Sequence, residues 1–181
     1  MIKVAMIGSS CAGKSTLVYS LIGRLKKLGV LAEGVVSTDR KFSYPKRLLV
    51  ESEDIQCNMI FNQLALETYW ASRHDVEVLV LDRTPLDLWC YYEASFPHNS
   101  KKKEMVRDLA MRWFDQNYNH IFYLPPLPYQ SDGDRPTEDF RNQVAGVITK
   151  HIDQFSSVTD LGTTPLEDRE DFIFNYVQNL T

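Results

Sequence analysis

The chain has 181 residues, of which 44% are hydrophobic and 24% are charged, and its formal net charge is −4. This length and composition are typical of a globular protein with a full hydrophobic core, and they exclude a largely disordered chain. The slight acidic excess excludes a general electrostatic attraction to nucleic acid or to anionic membranes, although a local basic groove stays open. No apolar run approaches the ~18 residues that cross a bilayer, so we expect no membrane partner.

The first predicted element is the apolar run Ile2 to Ile7, which is typical of a buried parallel strand. Residues 8–15 follow and read Gly-Ser-Ser-Cys-Ala-Gly-Lys-Ser, the G-x-x-x-x-G-K-[ST] motif of a phosphate-binding P-loop. Apolar residues at helical spacing come next, from Leu17 to Leu28. A strand, a glycine-rich turn and a helix start are the context in which this motif binds a nucleoside triphosphate.

The P-loop sequence assigns expected roles to its residues. Its N–H groups converge on phosphate oxygens at a helix N-terminus, where the helix dipole favours negative charge. Lys14 is a candidate catalytic residue that places a positive charge at the β- and γ-phosphates, and the Ser15 hydroxyl is a candidate ligand of Mg²⁺. We therefore expect ATP and Mg²⁺, although the motif does not distinguish ATP from GTP. The predicted nucleotide-binding residues here are Gly8, Ser9, Ser10, Cys11, Ala12, Gly13, Lys14, Ser15 and Thr16.

A second predicted strand, Val30 to Val36, ends in Ser37-Thr38-Asp39-Arg40. A carboxylate after this strand faces the P-loop across the cleft and can accept a proton from an acceptor hydroxyl. Asp39 is therefore a candidate catalytic and acceptor-binding residue, and Arg40 beside it is a candidate acceptor-binding residue. A solvated turn is the alternative for Asp39, and Glu33 and Glu51 are weaker candidates for the same task. A helix is predicted over residues 52–73.

The third predicted strand, Val76 to Leu81, ends in Asp82 and Arg83. An acid at the carboxyl end of a central strand is where a Walker-B-type carboxylate belongs, so Asp82 is a candidate catalytic residue and metal ligand. Arg83 can bind a phosphate or a substrate oxygen through two N–H groups, which makes it a candidate catalytic and acceptor-binding residue. Asp82 could instead cap the following helix, which leaves two readings open.

A helix over residues 84–95 follows the Asp82-Arg83 pair, and a further helix is predicted over residues 101–117. Thr84 is the better N-cap candidate, because Pro85 then occupies the first helical position. Tyr91 lies close behind and is a candidate for the lining of an acceptor pocket. Asp87, one turn into the helix, is expected only to complement the helix dipole.

Residues 125–136 separate a fourth predicted strand, His120 to Leu124, from a helix over residues 137–152. They are too rich in proline and glycine for regular structure, and loops of this length are usually functional or disordered. Arg135 is the candidate catalytic and nucleotide-binding arginine of a lid that closes over the phosphates. Arg141 on the following helix is a weaker candidate for the same task.

A weaker strand is predicted near Ser156 to Thr159, and a helix over residues 165–179. The loop between them contains Pro165, a candidate nucleotide-binding residue, because this loop borders the adenine in such topologies. The alternative is a plain turn capped by Thr164. Alternating strands and helices predict an α/β, three-layer P-loop NTPase fold: a five-stranded parallel sheet with helices on both faces and a lid loop. We expect one P-loop kinase domain over residues 1–181, with the lid at about 125–137.

Cys11, Cys57 and Cys90 have neither metal-ligand nor disulfide-framework spacing. A disulfide at Cys11 would obstruct the P-loop, so a reducing compartment is the simple interpretation. The first apolar stretch is too short for a signal peptide. We therefore expect a soluble, cytoplasmic protein.

Five segments together resemble a known family. They are GSSCAGKST, VVSTDR, LDRTPLDLWCYY, IFYLPPLPYQSDGDRP and EDREDFI. They look like the NadR-type P-loop domain, the nicotinamide-riboside-kinase-like branch of nucleoside and nucleotide kinases, which is related to thymidylate and deoxynucleoside kinases. The resemblance covers nearly the whole chain.

This resemblance implies an ATP-dependent kinase that transfers the γ-phosphoryl group to a hydroxyl or phosphate of a nucleoside- or nucleotide-like acceptor. It places Lys14 and Ser15 at the phosphates and Mg²⁺, Asp39 as the acceptor-side acid, and Arg135 in the lid. The Asp82-Arg83 pair matches the corresponding pair of the family. The residues after Asp39 match no known acceptor signature, so the acceptor stays open.

Two other functions stay open at this stage. One is a phage-type kinase that phosphorylates hydroxymethylated pyrimidine bases, such as 5-hydroxymethyluracil, in DNA. The acidic net charge weighs against it, although a groove with Lys41, Lys46, Arg47 and Lys101 to Lys103 could contact phosphates. The other is a nucleotide-binding regulatory ATPase, which ranks last because the chain has no Asn-Lys-x-Asp motif for reading a guanine base. The sequence does not fix the oligomeric state, and a homodimer is one alternative.

Overall fold

The computed structural model of the chain describes residues 1–36, 52–129 and 137–180. In these ranges the predicted strands and helices all form, in the predicted order. They are β1 Ile2–Ile7, α1 Lys14–Lys27, β2 Ala32–Val35, α2 Glu53–Ala71, β3 Val78–Asp82, α3 Pro85–Ser95, α4 Lys101–Gln116, β4 His120–Tyr123, α5 Glu138–Ile152, β5 Val158–Asp160 and α6 Leu166–Gln178.

The five strands form one parallel sheet in the order β2-β3-β1-β4-β5. Val4 in the central strand β1 pairs with Val80 of β3 on one side and with His120 of β4 on the other. Because parallel strands end at the same edge of a sheet, the loops that follow them meet at that edge. The P-loop after β1 therefore lies between the segment after β3 and the segment after β4.

Helices cover both faces of the sheet, which confirms the predicted α/β P-loop NTPase fold. Successive side chains of β1 point to opposite faces, as strand geometry requires. Ala5 and Ile7 join the core beneath α2, α3, α4 and α5, together with Phe114. Val4 and Met6 join the core beneath α1 and α6. The sheet thereby holds the P-loop between two buried apolar layers.

Four strands have bounds that differ from the sequence-based expectation by one or two residues. β3 spans Val78–Asp82 rather than residues 76–81, and β4 ends at Tyr123 rather than at Leu124. The strand expected to begin at Val30 begins at Ala32, because the N–H of Val30 still donates to the carbonyl of Leu25 and closes the end of α1. The last strand spans Val158–Asp160 rather than residues 156–159. The pattern of apolar residues locates an element, whereas its ends depend on such local hydrogen bonds.

Two predicted helix starts have different outcomes. Thr84 caps α3 as predicted, since its Oγ1 accepts from the N–H of Asp87 at 3.2 Å and Pro85 is the first helical residue. The alternative in which Thr164 caps the last helix is wrong. Pro165 occupies the N-cap position of α6, and the Thr164 hydroxyl donates to the carbonyl of Leu161 at 2.7 Å instead.

The outer faces of the helices carry paired charges. Arg24 on α1 contacts Glu170 at 3.2 Å and Asp171 at 2.7 Å, which ties α1 to α6. In the part of the chain that the structure describes, no helix combines the length and the apolar character needed to cross a bilayer.

Candidate nucleotide-binding site

The P-loop wraps the N-terminus of α1 tightly, and two of its positions favour glycine. Gly8 has a φ of 150°, and a Cβ built on it would lie 2.4 Å from the carbonyl oxygen of Leu124. Gly13 has a φ of 83° and caps α1, and its Cβ would lie 2.5 Å from Leu166 Cδ1. Both values of φ lie in the region that side chains rarely adopt. The first turn of α1 carries no acidic residue, so its N–H groups and dipole are available to an anion.

Lys14 is buried within this loop, with 5% of its surface exposed. Its Nζ donates to the carbonyl oxygens of Gly8 at 2.6 Å and of Ser9 at 2.7 Å. Ser9 is fully buried, and its Oγ has no hydrogen-bond partner among the described residues. An ammonium group, an unused hydroxyl and a helix N-terminus at one place form a set of donors suited to phosphate oxygens.

The Ser15 hydroxyl connects the P-loop to the next strand. Its Oγ donates to Oδ2 of Asp82 at 2.6 Å, and Asp82 is 2% exposed at the end of β3. The two residues present oxygen atoms only, which are the ligands that Mg²⁺ prefers. Within residues 1–36, 52–129 and 137–180, no group of three or more His, Cys, Asp or Glu side chains could hold a metal. A hydroxyl and one carboxylate suit a Mg²⁺ ion that takes its remaining ligands from water and phosphates.

Arg83 follows Asp82 in an unusual backbone conformation, with a φ of 87°. Non-glycine residues in this region are strained and persist only where the surroundings hold them. The N–H of Arg83 donates to the carbonyl of Met6 at 3.1 Å, and its carbonyl accepts from Gln63 Nε2 at 3.2 Å. Its guanidinium carbon lies 4.6 Å from the ring centre of Tyr91. The structure therefore brings together Arg83 and Tyr91, two residues predicted from the sequence to contact the acceptor.

The contact between Gln63 and Arg83 belongs to a buried network that sequence reasoning missed. Glu67 lies one turn beyond Gln63 on α2, is fully buried, and accepts from Gln63 Nε2 at 2.9 Å. It also accepts from the indole of Trp113 and from the hydroxyl of Tyr118, each at 2.8 Å. Burial raises the pKa of the Glu67 carboxyl. Two polar residues at i, i+4 on a largely apolar helix were the available signal.

The expectation for Asp87 is wrong. Instead of serving only the helix dipole, its side chain is 1% exposed, and Oδ2 lies 3.8 Å from NH1 of Arg83. Burial raises the pKa of Asp87 to about 6, and the positive charges of Arg83 and Lys14 oppose that rise. Asp87 therefore faces the candidate site from the first turn of α3, close to Arg83, which precedes the helix. Its i, i+4 spacing from Arg83 was the signal that could have found it.

Arg141 contacts the first residues of the predicted lid. Its guanidinium is buried, and NH1 donates to the carbonyl of Leu127 at 2.8 Å while NH2 contacts Glu138 at 3.1 Å. The same guanidinium lies 5.1 Å from the ring centre of Tyr129. These contacts orient residues 127–129.

The remaining predicted residues fall in two places. Asp39, Arg40 and Arg135 lie outside the described residues. Pro165 lies before α6, next to Leu166, whose side chain packs against Gly13 of the P-loop.

The sequence family described as an AAA domain matches residues 3–169, a range that contains the P-loop, β1 except for its first residue, and β2 to β5. The chain belongs to this family. No curated protein matches the chain in sequence.

Several solved structures share the fold of this AAA-domain protein. Deoxyadenosine kinase from M. mycoides with bound dATP has a TM-score of 0.70 at 15% identity, over 98% of this chain and 100% of that chain. Thymidylate kinase from Candida albicans has a TM-score of 0.69 at 15% identity, over 98% of this chain and 91% of that one. The NadR protein in complex with NR has a TM-score of 0.69 at 18% identity, over 97% of this chain and 51% of NadR.

The AAA-domain protein therefore spans about half the length of NadR and nearly the full length of the other two kinases. The resemblance to NadR-type kinases seen in the sequence is confirmed for the fold. At this level of identity the likeness concerns the backbone, so roles of individual side chains depend on the contacts within this chain.

Gly8→Ala is expected to weaken MgATP binding about 100-fold. The new Cβ would collide with the carbonyl oxygen of Leu124, so the P-loop would have to move and would lose its phosphate-binding geometry. Isothermal titration calorimetry measures this change. Gly146→Ala on α5 is the matched control, since a Cβ there meets nothing within 4 Å. Equal affinities for the two variants would contradict the close approach of Gly8.

Asp87 predicts a pH dependence of stability. The folded chain holds a proton on this carboxyl up to pH about 6, whereas the unfolded chain releases it near the ordinary value of 3.8. Between these values the folded state binds more protons, so a rise in pH lowers the free energy of unfolding, by at most about 1.4 kcal/mol per pH unit.

Asp87→Asn should flatten this dependence between pH about 4 and about 6. Urea unfolding at several pH values measures the slope for wild type, for Asp87→Asn and for Asp115→Asn, which changes an exposed carboxyl on α4. Asp115→Asn should keep the wild-type slope. An unchanged slope in Asp87→Asn would show that this carboxyl does not hold its proton in the folded state.

Proposed function

We propose that this protein is a P-loop kinase that transfers the γ-phosphoryl group of ATP to a nucleoside- or nucleotide-like acceptor. The observation that carries the proposal is the 2.6 Å contact between Ser15 and Asp82, which joins the P-loop to the segment that bears Arg83. Membership of the AAA-domain family and a fold shared with three nucleoside or nucleotide kinases support it.

The donor half of the site is the P-loop. Lys14 is already held at the centre of the loop by the Gly8 and Ser9 carbonyls, so it needs little rearrangement to meet the β- and γ-phosphates. Ser15 and Asp82 would hold Mg²⁺, which when bound neutralises charge on the phosphate oxygens. Pro165 and its neighbours would border the nucleoside of the donor.

The acceptor half lies on the other side of β1. Arg83 presents a guanidinium group whose backbone is fixed by Met6 and Gln63 and whose face is covered by Tyr91. A fixed guanidinium binds a phosphate or two hydroxyl groups through paired N–H donors, and the aromatic ring adds a flat apolar surface. Both features suit a nucleoside or a nucleoside monophosphate. Asp39 and Arg40 would complete this half.

In the proposed reaction an acceptor oxygen attacks the γ-phosphorus. A new O–P bond forms, the bond to the β–γ bridging oxygen breaks, and ADP leaves with that electron pair. A hydroxyl acceptor gives its proton to a carboxylate. Because Asp82 already accepts from Ser15, we assign the proton to Asp39, and we assign stabilisation of the transferring charge to Lys14 and Arg135.

A DNA acceptor receives less support from the described residues. Lys102 forms an ion pair with Asp54, and Lys103 is buried with its Nζ donating to the carbonyl of Phe96. Two of the three lysines in residues 101–103 are thus engaged within the protein. DNA remains an arm of the test because its acceptor would be recognised by the same half of the site.

ADP formation should rise strongly with one free acceptor from a panel of nucleosides, deoxynucleoside monophosphates and nicotinamide riboside. Lys14→Ala should lower this turnover by a factor of about 10² to 10³, because the transferring group loses a fixed positive charge. Lys26→Ala, which changes an exposed lysine paired with Glu33, is the matched control.

Three outcomes separate the candidate functions. Full activity in Lys14→Ala would contradict the proposal. Stimulation only by DNA that carries hydroxymethylpyrimidines would replace it with nucleic-acid modification. Slow turnover that no acceptor raises would favour a regulatory ATPase.

Ser15→Ala should raise the Mg²⁺ concentration for half-maximal turnover at least about tenfold, because it removes one oxygen ligand and the partner of Asp82. Mg²⁺ titrations at saturating ATP measure this. Ser20 lies on the same helix, but its hydroxyl donates to Glu170. Ser20→Ala should therefore leave the Mg²⁺ titration unchanged. Identical titrations for Ser15→Ala and wild type would exclude Ser15 as a metal ligand.

A further inference from the structure

Arg169, on the first turn of α6, is among the largest fully buried side chains of the described residues, with 1% of its surface exposed. Its guanidinium donates to three backbone carbonyls rather than projecting to solvent. NH1 contacts the carbonyl oxygens of Ala12 at 3.4 Å and of Pro125 at 3.1 Å, and NH2 contacts that of Gly162 at 2.7 Å. Sequence reasoning placed no function on this residue.

The three carbonyls belong to three different loops at the carboxyl edge of the sheet. Ala12 lies in the P-loop after β1, Pro125 lies in the segment after β4 (residues 124–129), and Gly162 lies in the loop between β5 and α6. The strand order places all three on one side, away from the segment after β3 that bears Arg83. Arg169 therefore joins the loops of one half of the site and leaves the other half alone.

Apolar and backbone contacts already press these loops together. The N–H of Leu127 donates to the carbonyl of Cys11 at 3.2 Å, and the side chain of Leu166 packs on Gly13. These contacts set how close the loops lie. The planar guanidinium adds directional bonds, which fix the orientation of each carbonyl as well.

Burying a guanidinium group costs free energy that an apolar side chain of similar size would not. Desolvation disfavours its charge, and burial lowers the pKa of Arg169. A well-packed apolar side chain is often as stabilising as a buried charge or better. A buried arginine at the junction of three site loops therefore suggests that the orientation of those loops matters.

We infer that Arg169 is a positioning residue that holds the P-loop, the segment after β4 and the β5–α6 loop in one arrangement. In this arrangement the three loops bind the phosphates and the nucleoside of the donor at the same time. The inference rests on the proposed function for the identity of the ligand. It assigns to Arg169 no contact with the reacting atoms.

The test compares a whole nucleotide with its phosphate part. In Arg169→Met the affinity for MgATP should fall about tenfold or more, because three carbonyls lose their donor and the loops shift relative to one another. The affinity for magnesium tripolyphosphate, which needs the P-loop alone, should fall far less. Calorimetric titration gives both dissociation constants without any acceptor. In turnover assays KM for ATP should rise, while KM for the acceptor stays within about twofold.

Arg24→Met is the matched control. Arg24 ties α1 to Glu170 and Asp171, which lie on α6 next to Arg169. Loss of the Arg24 side chain therefore loosens α6 without changing the contacts to the three carbonyls. It should bind MgATP as wild type does. Arg169→Lys keeps the charge with a shorter reach and one donor nitrogen, and should lose an intermediate part of the affinity; it also serves where Arg169→Met does not fold.

Wild-type affinity for MgATP in Arg169→Met, or equal losses for MgATP and tripolyphosphate, would overturn the inference. A purely structural role would lower the unfolding temperature and scale both affinities alike. Failure of the proposed function would look different. If the protein binds MgATP with the predicted dependence on Arg169 but phosphorylates no acceptor, the inference about Arg169 stands and the proposed kinase activity is refuted. Wild-type protein that binds no nucleotide refutes both.

Discussion

The contact between the Ser15 hydroxyl and the Asp82 carboxylate joins the two parts of the molecule that any phosphoryl transfer must bring together. Ser15 stands on the helix that the P-loop begins, and Asp82 ends the neighbouring strand β3. The contact can form only because β1 and β3 are paired in parallel, with Met6 opposite Asp82. The strand register, the tight turn at Gly8 and the buried Lys14 all position groups around this contact.

From that centre the site divides into halves with different supports. Arg83 and Tyr91 belong to the proposed acceptor half, and the buried Gln63, which also bonds Glu67, donates to the carbonyl of Arg83 and so supports its strained backbone. The proposed donor half consists of the loops after β1, β4 and β5, and Arg169 connects these loops through the carbonyls of Ala12, Pro125 and Gly162. Each half is held by buried polar groups on helices that lie outside the motifs themselves.

The sequence predicts those parts of the site that depend on residues close together in the chain. The P-loop, the Asp82-Arg83 pair and the Thr84 cap are local patterns, whose chemistry depends on neighbours in the chain. Arg169 lies in the charged stretch Glu-Asp-Arg-Glu-Asp, which by itself indicates a solvated helix face. Its burial follows from packing against distant segments, and no local pattern encodes that packing. For Glu67 and Asp87 the sequence offered only the i, i+4 spacing from Gln63 and from Arg83. The start of β2 depends on a local hydrogen bond, from the N–H of Val30 to the carbonyl of Leu25, which the pattern of apolar residues does not reveal.

The central claim is that the γ-phosphorus of ATP moves to an acceptor rather than to water. ³¹P nuclear magnetic resonance of the wild-type protein with MgATP and its stimulating acceptor follows that atom directly. The account predicts that the γ-phosphate signal is replaced in equal amount by the signal of a phosphorylated acceptor. Replacement by inorganic phosphate alone would contradict it.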